Sequence, residues 1–187
     1  KGQFAKYVKS SNNSIRDLLK LLRKLKLISS YYSVVVTKNI PVFGGLGGGT
    51  GNAASLLKFL LKKKINKSIL NKAEKLLGSD LRIFFYKQGF LKNLKTICRI
   101  KKYQIFYFLL VNPYRVRCST REIYAKVKKY SKKSKFNIYT ASTKSKFINY
   151  LSNNSNELQS IVEKKYPIIK KLLRDISFES GCYFSRM

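Results

Sequence analysis

Pro41-Val-Phe-Gly-Gly-Leu-Gly-Gly-Gly-Thr-Gly-Asn-Ala-Ala54 is the stretch on which the reading of this chain turns. It holds six of the ten glycines in the sequence. Ahead of it, residues 31–37 (YYSVVVT) are β-branched and aromatic, which predicts a strand. Behind it, Ala53, Leu56, Leu57, Leu60 and Leu61 repeat at helical spacing, which predicts a helix from Asn52 to about Lys64. Glycine opens backbone conformations closed to other residues and lets N–H groups come close to a ligand. A helix N-terminus adds unpaired donors and partial positive charge, so the combination suits a phosphate chain. Two familiar glycine motifs are excluded. No G-K-[ST] is present, and the register of Gly45 and Gly47 puts Thr50 where G-x-G-x-x-G requires glycine. Glycine content alone leaves a plain flexible turn equally open.

Working outward, residues 14–28 predict a helix opened by a Ser14/Asp17 capping box, with Ile15, Leu18, Leu19, Leu22 and Leu25 on one face. Residues 69–77 predict a second short helix, stopped at Gly78 by a left-handed glycine cap. LRIFFY at 81–86 reads as a strand, and Gly89 as a turn. Lys101 and Lys102 mark the best boundary. Beyond it, the apolar run IFYFLLV at 105–111 has the pattern of a strand buried on both faces, ended by Asn112-Pro113. Ser119 and Glu122 form a second capping box, opening a helix to about Lys129. Residues 130–146 read as irregular, and 156–166 and 167–176 as two helices. No repeat of 20–50 residues occurs.

The 187 residues carry 40 Lys and Arg against 8 Asp and Glu, a formal charge of +32, with 44% hydrophobic residues to build a core. Such charge suggests nucleic acid or an anionic membrane as partner. Runs at 62–64 and 126–135, with Tyr130 interleaved, keep a nucleic-acid-binding protein as the alternative reading. Against it, the lysines are scattered, no nucleic-acid motif accompanies them, and the enriched residue types share AT-rich codons. The absence of His excludes His-based general bases and His-containing metal sites. Cys98, Cys118 and Cys182 are odd in number and widely spaced, which fits a reducing compartment rather than a zinc site or a disulfide scaffold. No apolar run approaches a membrane span and no signal-peptide core is seen, so a cytoplasmic chain is expected.

The pattern P-x-x-G-G-L-G-G-G-[ST]-x-N-A-A resembles the ATP-binding motif of the GHMP kinase superfamily. The triple glycine followed by Thr50-Gly51-Asn52-Ala53-Ala54 looks most like the branch acting on 4-diphosphocytidyl-2-C-methyl-D-erythritol. Gly78-Ser79-Asp80-Leu81 with Phe84-Phe85 is similar to that branch's G-[AS]-D-[VI]-P-F-F segment. Val111-Asn112-Pro113 with Ser119-Thr120 and Tyr124 resembles its second-domain opening, and NELQSIVEKKYP at 156–167 its N-D-L-E…P helix. The likeness spans nearly the whole chain.

The resemblance implies an α+β, two-domain fold: an incomplete N-terminal ATP-binding domain at 1–103 and a partial C-terminal α/β domain at 104–187. It implies transfer of the ATP γ-phosphoryl group to a hydroxyl of that alcohol, a step of non-mevalonate isoprenoid synthesis, with Mg²⁺. Pro41, Val42, Phe43, Gly44, Gly45, Leu46, Gly47, Gly48, Gly49, Thr50 and Gly51 would hold ATP. Thr50 would also approach the metal, and Tyr124 would stack on the cytosine ring. Asp80 maps onto the catalytic aspartate that takes or orients the hydroxyl proton. Asp17 and Asp175 are the only other aspartates, and both sit at expected helix ends.

Three departures stand out. Gly51 replaces a second hydroxyl residue after the glycines, leaving Thr50 alone for metal or phosphate. Arg82 replaces the proline after the Asp-hydrophobic pair, placing beside Asp80 a flexible cation that could help bind phosphate or could signal drift. Nothing matches the opening P-A-K-x-N-L strand, and the sequence stops before the closing Gly-Ser loop. The expectation is an internal fragment or truncated gene that alone transfers little or no phosphate. Within the superfamily, a kinase of mevalonate-like or homoserine-like alcohols is the alternative. Oligomeric state is not legible.

Overall fold

The computed structural model describes residues 1–8, 13–42, 44–92, 96–100, 103–113, 116, 118–128 and 142–186. The chain divides into two compact units, Lys1–Ile100 and Lys101–Met187. Mixed helix with one small sheet makes it α+β. Among the described residues no helix is long and apolar enough to cross a membrane.

The first unit is built on three helices, α1 (Ser14–Lys24), α2 (Gly48–Leu61) and α3 (Lys67–Leu77). Leu18 and Leu22 of α1 meet Ala53, Ala54, Leu57 and Leu61 of α2, with Ile69 and Ala73 of α3 and Leu81 completing one buried cluster. The two alanines put the α2 backbone close to its neighbours, while the leucines supply the apolar area that drives the packing. Ile15 and Leu25, at the ends of the expected α1 face, are only half buried.

The ends of α1 differ from expectation. Its N-cap is Asn13, whose Oδ1 accepts from the Ile15 N–H at 3.0 Å, so Ser14 is already helical and the Ser14/Asp17 box is not the cap. Adjacent Asn and Ser both suit this role, and the structure uses the first. The helix also closes before residue 28. The Lys26 N–H bonds the Arg23 carbonyl at 2.8 Å and the Leu27 N–H bonds that of Leu22 at 2.9 Å. Lys26 takes φ +54°, the left-handed conformation such a cap needs. That conformation costs a side-chain-bearing residue about 1–2 kcal/mol. Lys26→Gly is therefore expected to stabilise the unit by about 0.5–1 kcal/mol, after allowing for glycine's greater unfolded entropy. A thermal melt of the chain would read it, and an unchanged or lower Tm would show that Lys26 bears no strain.

Strand predictions fared worse. Residues 31–37 form no ladder and are mostly exposed, Tyr31 at 87% and Val35 at 69%. Residues 81–85 lie instead in a 3-10 helix, Ser79–Phe85, which turns Leu81 and Phe84 onto the helical core, and Tyr86 caps it. The sheet of this unit is a hairpin, β1 (Gly89–Leu91) antiparallel to β2 (Ile97–Arg99), pairing Gly89 with Arg99 and Leu91 with Ile97. Gly89, expected in a turn, is thus in a strand, where a Cβ would come within 2.9 Å of the Ile97 side chain.

In the second unit, described by itself, α4 (Thr120–Ala125), α5 (Lys144–Asn153), α6 (Gln159–Lys165) and α7 (Pro167–Ser177) are present. Ile123, Val162 and Ile169 form its core with Cys118, Leu158 and Leu173 around them. The Ser119 hydroxyl accepts from the Glu122 N–H at 3.4 Å, as the capping box predicts. The Glu122 carboxylate pairs with Lys165, tying α4 to α6. That hydrogen bond and charge hold the Glu122 carboxyl below its ordinary range and raise Lys165. Burial pushes the Cys118 thiol up. Pro167 opens α7 at the position where a missing N–H costs nothing.

Several expectations fail in this unit, and α4 stops at Ala125, short of the expected Lys129. The buried strand at 105–111 is not one: Tyr107 is 92% exposed and Phe108 84%, and no ladder forms. The Phe106 ring lies 5.5 Å from that of Phe147 of α5 and 6.2 Å from that of Phe108. A two-sided buried strand needs neighbours on both edges, and none is present among the described residues. The α/β character expected here is therefore helical among those residues. Residues 144–146, expected irregular, begin α5, whose N-cap Thr143 accepts from the Lys146 N–H at 3.2 Å. Residues 129–141, including Lys129 and Tyr130, lie outside the described residues, as do Lys101 and Lys102.

Candidate active site

The helix expected from Asn52 begins four residues earlier, inside the glycine stretch. Its N-cap is Gly47, at φ +63° and ψ +18°, a left-handed conformation that no side chain helps to cap. The first intrahelical bond runs from the Gly51 N–H to the Gly47 carbonyl at 2.8 Å. The N–H groups of Gly48, Gly49 and Thr50 consequently have no acceptor within the helix. Three consecutive donors, with no side chain on two of them, face the loop at the positive end of the helix dipole. Pro41 and Val42 are half buried, Gly44, Gly45 and Leu46 are exposed, and Phe43 lies outside the described residues.

Two side chains of this unit reach the same helix end. A Cβ built on Gly48 would lie 3.4 Å from Lys38 Nζ, and one on Gly49 would lie 3.0 Å from Ser14 Oγ. An ammonium beside a helix N-terminus is electrostatically unfavourable unless an anion joins them. Sequence reasoning missed Lys38, one of many lysines; its place between the β-branched run and Pro41 was the available signal.

The Asp80 segment is fastened to this helix end from below. The Thr50 hydroxyl donates to the Leu77 carbonyl at 3.3 Å, at the end of α3. Gly78 follows with φ +102° and ψ 160°, positive φ but not the left-handed helical cap expected. The Phe84 ring then packs on the glycines, so that a Cβ on Gly51 would come within 2.9 Å of it and one on Gly47 within 3.2 Å. This accounts for Gly51 physically: the space where a second hydroxyl residue was expected holds the Phe84 ring. Lys58 of α2 donates to the Phe84 carbonyl at 2.5 Å. Asp80, in the first turn of the 3-10 helix, is exposed, and no hydrogen bond or ion pair engages its carboxylate among the described residues.

Arg82 is not the free cation expected beside Asp80. Its Nε donates to both carboxylate oxygens of Glu74 at 2.9 and 2.8 Å, and its Nη2 donates to Asn71 Oδ1. Tyr124, the remaining expected contact, stands 53% exposed on α4 of the second unit.

Over 100% of its length this chain is 34% identical to the 4-diphosphocytidyl-2-C-methyl-D-erythritol kinase of Pelagibacter ubique (strain HTCC1062), of which it spans 66%. The chain belongs to the 4-diphosphocytidyl-2-C-methyl-D-erythritol kinase family. Relatives of the same name in Anaplasma marginale (strain Florida) and Wolbachia pipientis wMel are 30% and 27% identical over 99% and 96% of the chain. It spans 65% and 63% of them, so the chain covers just under two thirds of the length of these family members. No family model and no solved structure matches it. Among the described residues no cluster of three acidic, Cys or His side chains could hold a metal ion. At the glycine stretch the Thr50 hydroxyl gives its proton to the Leu77 carbonyl, which leaves the lone pairs of its oxygen available.

Proposed function

We propose that the protein carrying this chain transfers the γ-phosphoryl group of ATP to a hydroxyl of 4-diphosphocytidyl-2-C-methyl-D-erythritol, in the cytoplasm, for isoprenoid synthesis. The observation that carries this reading is the pairing in one unit of an uncapped glycine helix start with an unengaged Asp80, joined through Thr50 and Phe84. Its family relatives carry that activity in their names.

In this reading the residues from Pro41 to Gly51 hold the triphosphate. The Gly48, Gly49 and Thr50 N–H groups donate to its oxygens, and Lys38 supplies charge. Phosphoryl transfer asks for positioning and charge neutralisation more than covalent participation by the protein. The substrate hydroxyl oxygen bonds to the γ-phosphorus as the bond to the β–γ bridging oxygen breaks. ADP departs with that electron pair, and the hydroxyl proton passes to the Asp80 carboxylate. Magnesium fits as an ion brought by the nucleotide, since it keeps several waters and needs few protein oxygens, and Thr50 would be the residue to approach it. When bound it neutralises phosphate charge. In this reading Lys1–Ile100 belongs to the ATP-binding domain and Lys101–Met187 to the second domain. Tyr124 offers an exposed ring for cytosine.

The test is ADP release by the natural gene product with ATP and a panel of alcohols. Release is expected with 4-diphosphocytidyl-2-C-methyl-D-erythritol and not with mevalonate or homoserine. A preference for either of those would overturn the substrate assignment, and no nucleotide-dependent rise in Tm would overturn the kinase reading.

A further inference from the structure

Asp80 owes its position to its neighbours. Its own carboxylate has no partner among the described residues, and Gly78, at positive φ, gives the backbone before it more freedom than any other residue type would. On one side the segment is held by Leu81, fully buried against the helices. On the other it is held by Arg82. Asn71 and Glu74 are three residues apart on α3, which puts them on one face of that helix, and the Arg82 guanidinium takes both. The two side chains of the ion pair are 17% and 15% exposed, so the contact is shielded from most solvent screening. A guanidinium with Nε on both carboxylate oxygens and Nη2 on an amide oxygen is fixed in orientation as well as distance. A proline at this position would fix the chain through its ring. Here the same segment carries a side-chain clamp.

We propose that Arg82, through Glu74 and Asn71, is the positioning residue for Asp80: it locks the 3-10 helix Ser79–Phe85 to α3 so that the carboxylate meets the substrate hydroxyl. This rests on Asp80 being the proton acceptor. A displacement of about 1 Å at a reacting group is enough to cost on the order of a hundredfold in rate, so loss of the clamp should appear in turnover.

The experiment compares Arg82→Ala, Glu74→Gln and the exchanged pair Arg82→Glu/Glu74→Arg in the natural gene product, with ATP and the diphosphocytidyl alcohol. Each single variant is expected to lower kcat at least about tenfold, with KM for ATP within about twofold and the pH–rate profile in place. Amide exchange at residues 81–85 should quicken about tenfold or more in both. The exchanged pair should restore exchange protection and most of kcat, because Asn71 can turn its amide to donate. Wild-type kcat in Arg82→Ala, a slow Arg82→Ala with unchanged exchange, or an exchanged pair that restores neither protection nor rate would each overturn the clamp. Recovery of protection without recovery of rate, or a displaced pH profile, would overturn it too, by assigning the guanidinium a direct role. Asp80→Asn separates the two levels: full activity there removes the aspartate's role, while the exchange measurements still test whether Arg82 holds the segment.

Discussion

Asp80→Asn is expected to lower kcat for phosphoryl transfer by about 10²–10⁴-fold, the range that a positioned general base contributes. ATP affinity should stay within about threefold, because the nucleotide is held by the glycine helix start and not by the carboxylate. The substitution keeps side-chain volume and removes only the charge and the proton-accepting oxygen. Asp80 is exposed and engages no described partner, so the fold should not register the change beyond about 0.5 kcal/mol. Loss of rate with intact stability and intact nucleotide binding is the signature sought. It is measured by steady-state kinetics beside a thermal melt and an ATP titration of the same variant. Wild-type turnover would take Asp80 out of the mechanism, and the glycine helix start would remain as a binding feature without an assigned base.

What could be read from the sequence divides along a physical line. Helices were legible because their signals are local: the leucine period of α1, the run behind the glycines, Pro167 at the start of α7 and Ser119 three residues before Glu122. Their ends slipped where two residues compete for one role, as Asn13 and Ser14 do. All three long strand predictions, at 31–37, 81–86 and 105–111, failed for a shared reason. A β-branched or aromatic run is a strand only where another strand pairs with it, and pairing is not a property of the run. The 81–86 run also carried a competing signal, since Leu81, Phe84 and Phe85 are spaced for one helical face, and that spacing won. At the site, the glycines and Asp80 were legible as residue types in order. What was not legible was how they are joined. Thr50 reaching Leu77, Phe84 filling the space beside Gly51 and Arg82 turning to Glu74 are contacts between residues 8 to 33 apart in the chain. They exist only once α2 and α3 have packed.

That dependence of the site on packing gives the second large effect. Leu81 is fully buried, next to Asp80 in sequence, and belongs to the same cluster as Leu18, Leu57 and Ala73. Leu81→Ala removes three carbons from a site walled by three helices, which cannot all close on the gap, so a loss of about 2–5 kcal/mol is expected. Domains of this size are stable by only about 5–15 kcal/mol, so the change takes a large share of the whole. At about 4–8 °C per kcal/mol for a unit of about 100 residues, Tm should fall by at least about 10 °C. Leu76→Ala, on α3 but 48% exposed, is the matched control and should cost far less. Turnover should fall in Leu81→Ala even at temperatures where the unit stays folded, because the 3-10 helix has lost its inner anchor and Arg82 holds it from one side only. Asp80→Asn predicts lost rate without lost stability, whereas Leu81→Ala predicts the loss of both. A Leu81→Ala protein with unchanged Tm would mean that this leucine does not anchor the segment. One with a lowered Tm but full kcat below the melt would mean that Asp80 keeps its place without the core, leaving Arg82 and Glu74 as the contacts that hold it.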